Sequence, residues 1–311
     1  MTTNARLRAL IELDAAGSVR GAAQRLVVTE SAVSSAVSAL SAEVGTALVD
    51  RHGRGVRLTP AGLTYVDFAR RILGLHDEAV LAARGRADPE QGSIRLAAVV
   101  TAGELLIPAL LASFRAKHPG VVLRLEVAPG RRIWPLLTQH AVDLVVAGRP
   151  PADLRNAWVR AVSINTLVVV GPPDIAAEFE LARTTWLLRE AGSGTRETTT
   201  TLLRELEVAP PQLMLGSHGS VVAAAVAGLG VTLVSRQSVR RELDSGALVE
   251  LDVPGTPLHR PWHVVSQTAA TASTELLVEH LTEHRELGWH PPAATPQGDG
   301  MACAKGDARQ L

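Results

Sequence analysis

From Pro60 to about Arg84 nothing in the chain stops a helix except one tolerable glycine, Gly74. Thr59 supplies a capping hydroxyl and Pro60 suits the first helical position, so the start is marked too. The run is about 25 residues and therefore about 37 Å long at 1.5 Å per residue. Along it Val66, Ala69, Leu73, His76, Val80 and Ala83 step by alternating threes and fours, the spacing of a heptad seam. A lone helix of that length cannot bury such a stripe, so the pattern predicts pairing with a second copy. It also divides the chain into a short unit before the helix and a long one after it.

The short unit reads as three helices and a hairpin. Leu7, Leu10, Ile11 and Leu13 form the apolar side of a first helix. After a turn at Asp14 to Ser18, Ser18 can cap a second, with Ala22, Ala23 and Leu26 inward. Val27 to Thr29 breaks the pattern, and Thr29 can cap a third helix from about Glu30 to Val44, with Val33, Val37 and Leu40 inward and Gly45 ending it. A short helix, a three-residue break and a second helix with an apolar inner face and a serine-rich outer one spell a helix-turn-helix. Small residues at Ala22 and Ala23 allow two helices to cross closely. Ala47–Asp50 and Val56–Leu58, flanking Arg51-His52-Gly53-Arg54-Gly55, suit a basic wing.

The long unit begins after Asp88-Pro89-Glu90-Gln91-Gly92, a hinge. Apolar strand candidates at Ile94–Val100, Val121–Val127, Leu144–Ala147, Leu167–Val170, Trp186–Leu188, Gln212–Leu215, Val231–Val234 and Trp262–Val265 follow. Helical stretches such as Leu105–Lys117, Arg196–Glu207 and Val221–Ala227 separate them, which makes this an α/β domain too long for one small sheet. Beyond Pro291 the Pro, Gly, Ala, Gln and Asp content argues for a disordered tail.

Composition narrows the function. The 311 residues exceed one ordinary core. Thirty-one Lys and Arg against thirty-one Asp and Glu exclude a basic coat over the whole chain, so any DNA contact must be local. The one cysteine, Cys303, excludes an internal disulfide and a cysteine-ligated zinc site. No export signal opens the chain and no apolar run is long enough to cross a bilayer, so a cytoplasmic protein without membrane contact is expected. Aromatics at 3% leave little for stacking on single-stranded bases. Ser217, His218 and His263 lie in no nucleophile motif, metal pair or phosphate loop, so neither catalytic residues, metal nor cofactor is expected.

In order and spacing, Leu7-x-x-Leu10, Gly17-Ser18, Ala22-Ala23, Leu26, Ala32-Val33-Ser34, Leu40, Gly45, Leu48, Arg51 and Leu58-Thr59-Pro60-Ala61-Gly62 resemble the N-terminal signature of LysR-type transcriptional regulators. Gly92-Ser93-Ile94-Arg95-Leu96, Leu105-Leu106-Ile107-Pro108, Phe114, His118-Pro119, Asp143-Leu144, Gly228-Leu229-Gly230 and Gly246-x-Leu248 resemble the same family's effector domain. Arg189 to Arg196 is similar to the branch that regulates carbon-dioxide fixation and sulfite assimilation. The resemblance implies a winged helix-turn-helix over 1–59, a dimerising linker helix over 60–86, a hinge over 87–92 and a two-lobed domain like periplasmic binding proteins. Lobe 1 would be 93–163 with 266–290, lobe 2 164–265, and 291–311 the tail. Four positions depart from the family: Glu30 stands where glutamine is usual, Ser35 where a basic or long polar residue is, Ser41 where glutamate is, and Val49 where phenylalanine is. The third helix consequently holds no Lys or Arg. His140 replaces a usual glycine.

For double-stranded DNA, the exposed start of the third helix would offer Thr29, Ser31, Ser34 and Ser35 to the major groove, while Arg20, Arg25, Arg51, Arg54 and Arg57 clamp phosphates. Within 1–59 seven arginines against two aspartates and three glutamates leave only +2. A dimer on an interrupted dyad is expected, and the family adds a homotetramer and RNA polymerase as a candidate partner. In the long unit the turns after two strands open helices, whose free N–H groups attract anions. The resemblance sets Thr101 and Ala102, Gly148 and Arg149, Ser193, Gly194, Thr195 and Arg196, and His218 around a cleft for a small anionic metabolite. Arg196 could instead pair with Glu190 or Glu197, and His218 could be a plain polar loop residue. The alternative is a stand-alone small-molecule-binding protein with no DNA role.

Overall fold

The computed structural model describes residues 3–52, 55–267, 270–283 and 288–292. Arg54 lies outside these, as does the side chain of Arg51.

The N-terminal head is built from α1 (Asn4–Ala16), α2 (Val19–Leu26), α3 (Glu30–Val44) and an antiparallel hairpin, β1 (Val49–His52) with β2 (Gly55–Leu58). The caps are those the sequence marks: the Ser18 hydroxyl accepts from the Gly21 N–H and the Thr29 hydroxyl from the Ala32 N–H. Gly17 and Gly45 close α1 and α3 in the left-handed region, where a Cβ would be strained. Val27, at the corner between α2 and α3, takes the same conformation with φ 56°. A β-branched residue pays for that backbone, which the packing of Ala22, Ala23, Val33 and Val37 holds in place.

The long helix, α4 (Pro60–Ala87), starts on the Thr59 cap. Its pattern corrects the first half of the expected seam, while His76, Val80 and Ala83 of the second half stay exposed. Val66, Ala69 and Leu73 are buried in the head's own core with Leu7, Leu10 and Leu13 of α1. The apolar surface that stays open is a neighbouring stripe: Phe68, Ile72 and Leu75 are 53%, 49% and 54% exposed. Ala79 and Ala82 continue it at the same spacing. Heptad spacing could not separate the two stripes because α4 carries both, and packing on α1 claims the first. After α4 comes a 3-10 turn (Pro89–Gln91) capped by Asp88.

Lobe 1 is a six-stranded sheet in the order β14-β6-β13-β5-β3-β4. Its members are β3 (Ser93–Ala98), β4 (Val122–Val127), β5 (Leu144–Ala147), β6 (Ala157–Ser163), β13 (Trp262–Gln267) and β14 (Trp289–His290). The strand alternation serves two helical layers. Ile94, Leu96, Leu144 and Val146 pack against Ile107, Leu110 and Phe114 of α6 (Ile107–Lys117) and Leu277 and Leu281 of α12 (Ala272–Glu283). Ala97, Val145 and Val265 face Ile133 and Leu137 of α7 (Gly130–Thr138) on the other side. A one-turn helix, α5 (Val100–Leu105), follows β3.

Lobe 2 is organised on β7 (Thr166–Gly171), which pairs antiparallel with β10 (Thr232–Ser235), β11 (Val249–Leu251) and β12 (Leu258–His259). Beside it β8 (Trp186–Leu188) and β9 (Gln212–Met214) run parallel, joined to β10's approach by a bridge between Trp186 and Val231. Val168, Val170 and Val234 bury against α10 (His218–Val226), Leu167, Val169 and Leu233 against α9 (Gly194–Glu205). The short α8 (Pro173–Ala177) and α11 (Arg240–Asp244) complete it.

The lobe boundary differs from the expected 164–265. Trp262–Val265 belongs to β13, which lies between β5 and β6 in the first sheet, so the chain returns to lobe 1 near Arg260. The sequence reading missed β6, because its burial is incomplete and Arg160 interrupts the apolar run to pair with Glu275 of α12. It also ran the first strand to Val100, where the helix α5 has already begun.

Linker helix and lobe 1 touch at Gly74, which lies against the Gln139 carbonyl, and at Glu78, which pairs with His140. His140 has φ 56°, a conformation that accounts for glycine being usual there. Any Cβ at residue 74 would collide with the Gln139 carbonyl. Gly74→Ala should therefore lower stability by about 1–3 kcal/mol in urea unfolding. The higher helix propensity of alanine, worth about 1 kcal/mol, works the other way, and a net gain would mean that α4 does not rest on this turn.

Candidate functional site

Two surfaces carry the chemistry. On the head, Thr29, Ser31, Ser34, Ser35 and Ser38 are exposed along one side of α3, opposite the buried Val33, Val37 and Leu40. The Thr29 and Ser31 hydroxyls are 3.0 Å apart, so the first turn holds a small hydroxyl network. Arg20 at the start of α2 and Arg57 on β2 are exposed to the same solvent. Arg25 is tied to Glu12 at 3.4 Å, which leaves it less free to clamp a phosphate than the sequence suggests. Glu30 is the first residue of α3 and is exposed, with no hydrogen bond or ion pair among the described residues. Val27 beside it is 89% exposed.

The second surface is a cleft of about 90 Å³ where the lobes meet, on a measure by which one water needs about 10–15 Å³. Lobe 1 contributes Thr101 from α5, Gly130 from α7, Gly148 after β5 and Trp262; lobe 2 contributes Arg189, Glu190, Ser193, Gly194, Thr195, Thr198 and Ser235. Asn165 and Arg260 mark the two crossings and hold each other: the Arg260 N–H donates to the Asn165 carbonyl and the Asn165 side-chain amide to the Arg260 carbonyl, both at 2.9 Å.

Of the residues expected here, Thr101, Gly148, Ser193, Gly194 and Thr195 line the cleft. Four do not. Ala102 is fully buried in the lobe 1 core. Arg149 is exposed outside the lining, and Arg196 also stays out of it, with a buried Nη1. His218 is buried at the start of α10 behind the lining. The cleft's cations are instead Arg189 and Arg260, which the sequence reading did not single out. Arg189 is only 4% exposed; it grips Glu190 through Nε and Nη2 at 3.1 and 2.6 Å and donates across the lobes to the Thr101 hydroxyl at 3.2 Å. Arg260 donates to Thr198 and to the Gly194 carbonyl of α9.

The missed residues had partial signals. Arg189 and Glu190 directly follow the C-terminal end of β8, where open α/β sheets place their ligands. Asn165 and Arg260 had none, since finding the crossings requires knowing that β6 and β13 pair.

Several groups here await a partner. Asn165 Oδ1 and Ser235 Oγ are buried without a hydrogen bond among the described residues, in side chains 4% and 2% exposed. Ser193 occupies the N-cap of α9 without capping it, and the first N–H groups of that helix have no intrahelical acceptor. The arrangement can hold a small polar molecule: an anionic end against α9 and Arg260, a hydrogen-bond donor against Asn165.

A helix-turn-helix head coupled through a long helix to a two-lobed α/β module defines a DNA-binding transcription regulator. The chain belongs to the LysR family: residues 5–63 match the bacterial regulatory helix-turn-helix proteins of the lysR family and 87–286 the LysR substrate binding domain. It is 36% identical over 283 residues to the HTH-type transcriptional regulator CfxR of Cupriavidus necator, covering 86% of this chain and 89% of that protein. It is 34% identical over 287 residues to the RuBisCO operon transcriptional regulator of Allochromatium vinosum, covering 86% and 93%. These relatives agree with the carbon-dioxide-fixation branch that Arg189 to Arg196 resembles. Among solved structures, CbnR, a LysR family transcriptional regulator, superimposes with a TM-score of 0.64 at 18% identity, over 92% of this chain and 99% of that one.

Burial, and then the charge of Arg189, push His218 down to about 4, against smaller opposing effects of Glu242 and Glu190. Burial pushes the Glu190 carboxyl up, but the hydrogen bond and charge of Arg189 outweigh it and hold it below the usual carboxylate range. His218 is thus neutral at pH 7 and supplies no counter-charge. Because its folded value lies below its unfolded one, its contribution is intact above about pH 6.5 and is lost as pH falls toward 4. Between pH 7 and pH 5 the histidine should cost about 2 kcal/mol of stability. His218→Gln should remove that part of the slope in urea titrations at the two pH values, and an unchanged slope would refute the assignment.

Proposed function

We propose that this regulator binds an interrupted-dyad operator as a dimer and answers to a small anionic metabolite held between its lobes. The observation that supports the sensing half best is the cleft, where buried Asn165 and Ser235 present unpartnered polar atoms beside Arg189, which already bridges the lobes to Thr101. A ligand that takes up those atoms binds the closed arrangement more tightly than an open one, and that difference is what shifts a two-state equilibrium. Arg189 and Arg260 outnumber Glu190, and Glu190 is already neutralised by Arg189, so an anion is favoured over a cation.

On the DNA side, Thr29, Ser31, Ser34 and Ser35 read the major groove while Arg20, Arg51, Arg54 and Arg57 hold phosphates. The dimer forms through Phe68, Ile72 and Leu75 of α4, whose exposed stripe asks for a second helix. Tetramer formation and RNA polymerase contact follow from family membership alone, and a cytoplasmic location goes with work on DNA. A stand-alone binding protein leaves residues 5–63 unaccounted for.

Purified protein should protect an interrupted dyad beside its own gene at low salt, and no footprint there would count against the reading. Arg57→Ala should weaken binding to every sequence and lower the salt slope by about 1, whereas Ser35→Ala should alter base preference. Ile72→Asp should yield monomers in light scattering; a persistent dimer would move the interface elsewhere. For the cleft, thermal shifts are measured against small carboxylates and phosphate esters. A stabilising compound should lose its effect in Thr195→Trp, while DNA binding survives; an effect that persists places the ligand elsewhere.

A further inference from the structure

We infer that Glu30 is a base-reading residue and that it selects cytosine, with adenine next, in each half of the operator. The inference rests on the reading that α3 enters the major groove.

Glu30 occupies the first position of α3 beside the Thr29 cap, exposed and without any partner among the described residues. Nothing within the protein therefore accounts for its charge beyond the local attraction of a carboxylate to a helix N-terminus. In a helix-turn-helix the N-terminal residues of the second helix are those that reach base edges. An ionised carboxylate accepts hydrogen bonds and donates none. Set among phosphates it is repelled, so docking costs free energy unless a donor meets it. The base edges of the major groove offer two such donors, the amino groups at cytosine N4 and adenine N6. Guanine presents O6 and N7 there and thymine O4, all acceptors that would face the carboxylate with like polarity. The rest of this turn strengthens the demand. Ser31, Ser34 and Ser35 are neutral, and α3 has no Lys or Arg to offset the charge locally. Adenine N7, an acceptor beside the N6 amino group, makes adenine the poorer match of the two permitted bases.

The same carboxylate acts as a filter. On non-cognate DNA it meets phosphate and acceptor groups, so it lowers non-specific affinity and thereby widens the gap between right and wrong sites.

The test is selection of binding sites from a random duplex library with the full-length protein, run in parallel for wild type, Glu30→Gln and Glu30→Ala. Residue 30 is exposed and outside the core, and circular dichroism checks that each variant is folded. Wild type should enrich a dyad with a C·G pair in one fixed orientation at one symmetry-related position per half-site, over the reversed G·C pair or a T·A pair by on the order of 10- to 100-fold. Glu30→Gln, whose amide both donates and accepts, should move that position toward adenine. Glu30→Ala should flatten it and bind non-cognate DNA more tightly than wild type. A motif in which no C·G pair loses its orientation preference in Glu30→Ala, or identical motifs from wild type and Glu30→Gln, would overturn the inference while leaving the DNA-binding reading intact. Recovery of no motif from any of the three would overturn both.

Discussion

The structure turns on one helix that has to satisfy two apolar stripes. Along its first half α4 completes the core of the head through Val66, Ala69 and Leu73, so those residues are unavailable to a partner. What it leaves in solvent, Phe68, Ile72 and Leu75, is too large a continuous surface to be an accident of composition in a chain with so few aromatics. Because one rigid element carries both, the head cannot change its angle to whatever covers the second stripe without disturbing its own core. The close approach at Gly74 and the Glu78–His140 pair then tie the same helix to lobe 1. Head, linker and sensing lobe thus share a mechanical frame, and a change of lobe angle has a route to the DNA-facing helix.

Polar side chains bridge the lobes across a cleft that Val99, Val100, Leu167 and Trp262 also line. Arg189 is buried, and a buried guanidinium is tolerable only when its donors are met. Glu190 meets two of them and Thr101, on the opposite lobe, meets another. Asn165 and Arg260 fasten the two crossings to each other by reciprocal bonds. Asn165 Oδ1 and Ser235 Oγ remain buried without partners among the described residues. Leaving such atoms unmet costs roughly 1–3 kcal/mol each, and a ligand that supplies the missing bonds recovers that cost.

The head and the cleft were legible in the sequence to different degrees for a physical reason. Ser18, Thr29 and Thr59 cap their helices by bonds that reach only three residues along the chain, so the hydroxyl and the turn it starts can be read together. Glycines at 17 and 45 mark left-handed caps in the same local way. The cleft is different. Thr101 and Arg189 lie 88 positions apart and Asn165 and Arg260 lie 95 apart, and each pair meets only because the chain crosses twice between two sheets. The helix-start rule picked out Ser193, Gly194 and Thr195, which line the cleft, and also Arg196, which does not.

The amino-acid sequence alone determined the helix-turn-helix, the wing, the long helix and the α/β character of the rest, since each depends on periodicity, caps and turns within a few residues. Tertiary structure decided which stripe of α4 stays open, that Trp262–Gln267 returns to the first sheet, and that Arg189 and Arg260 carry the charge of the cleft. These depend on competition between distant surfaces for the same partner, and the outcome is settled only when all of them are packed at once.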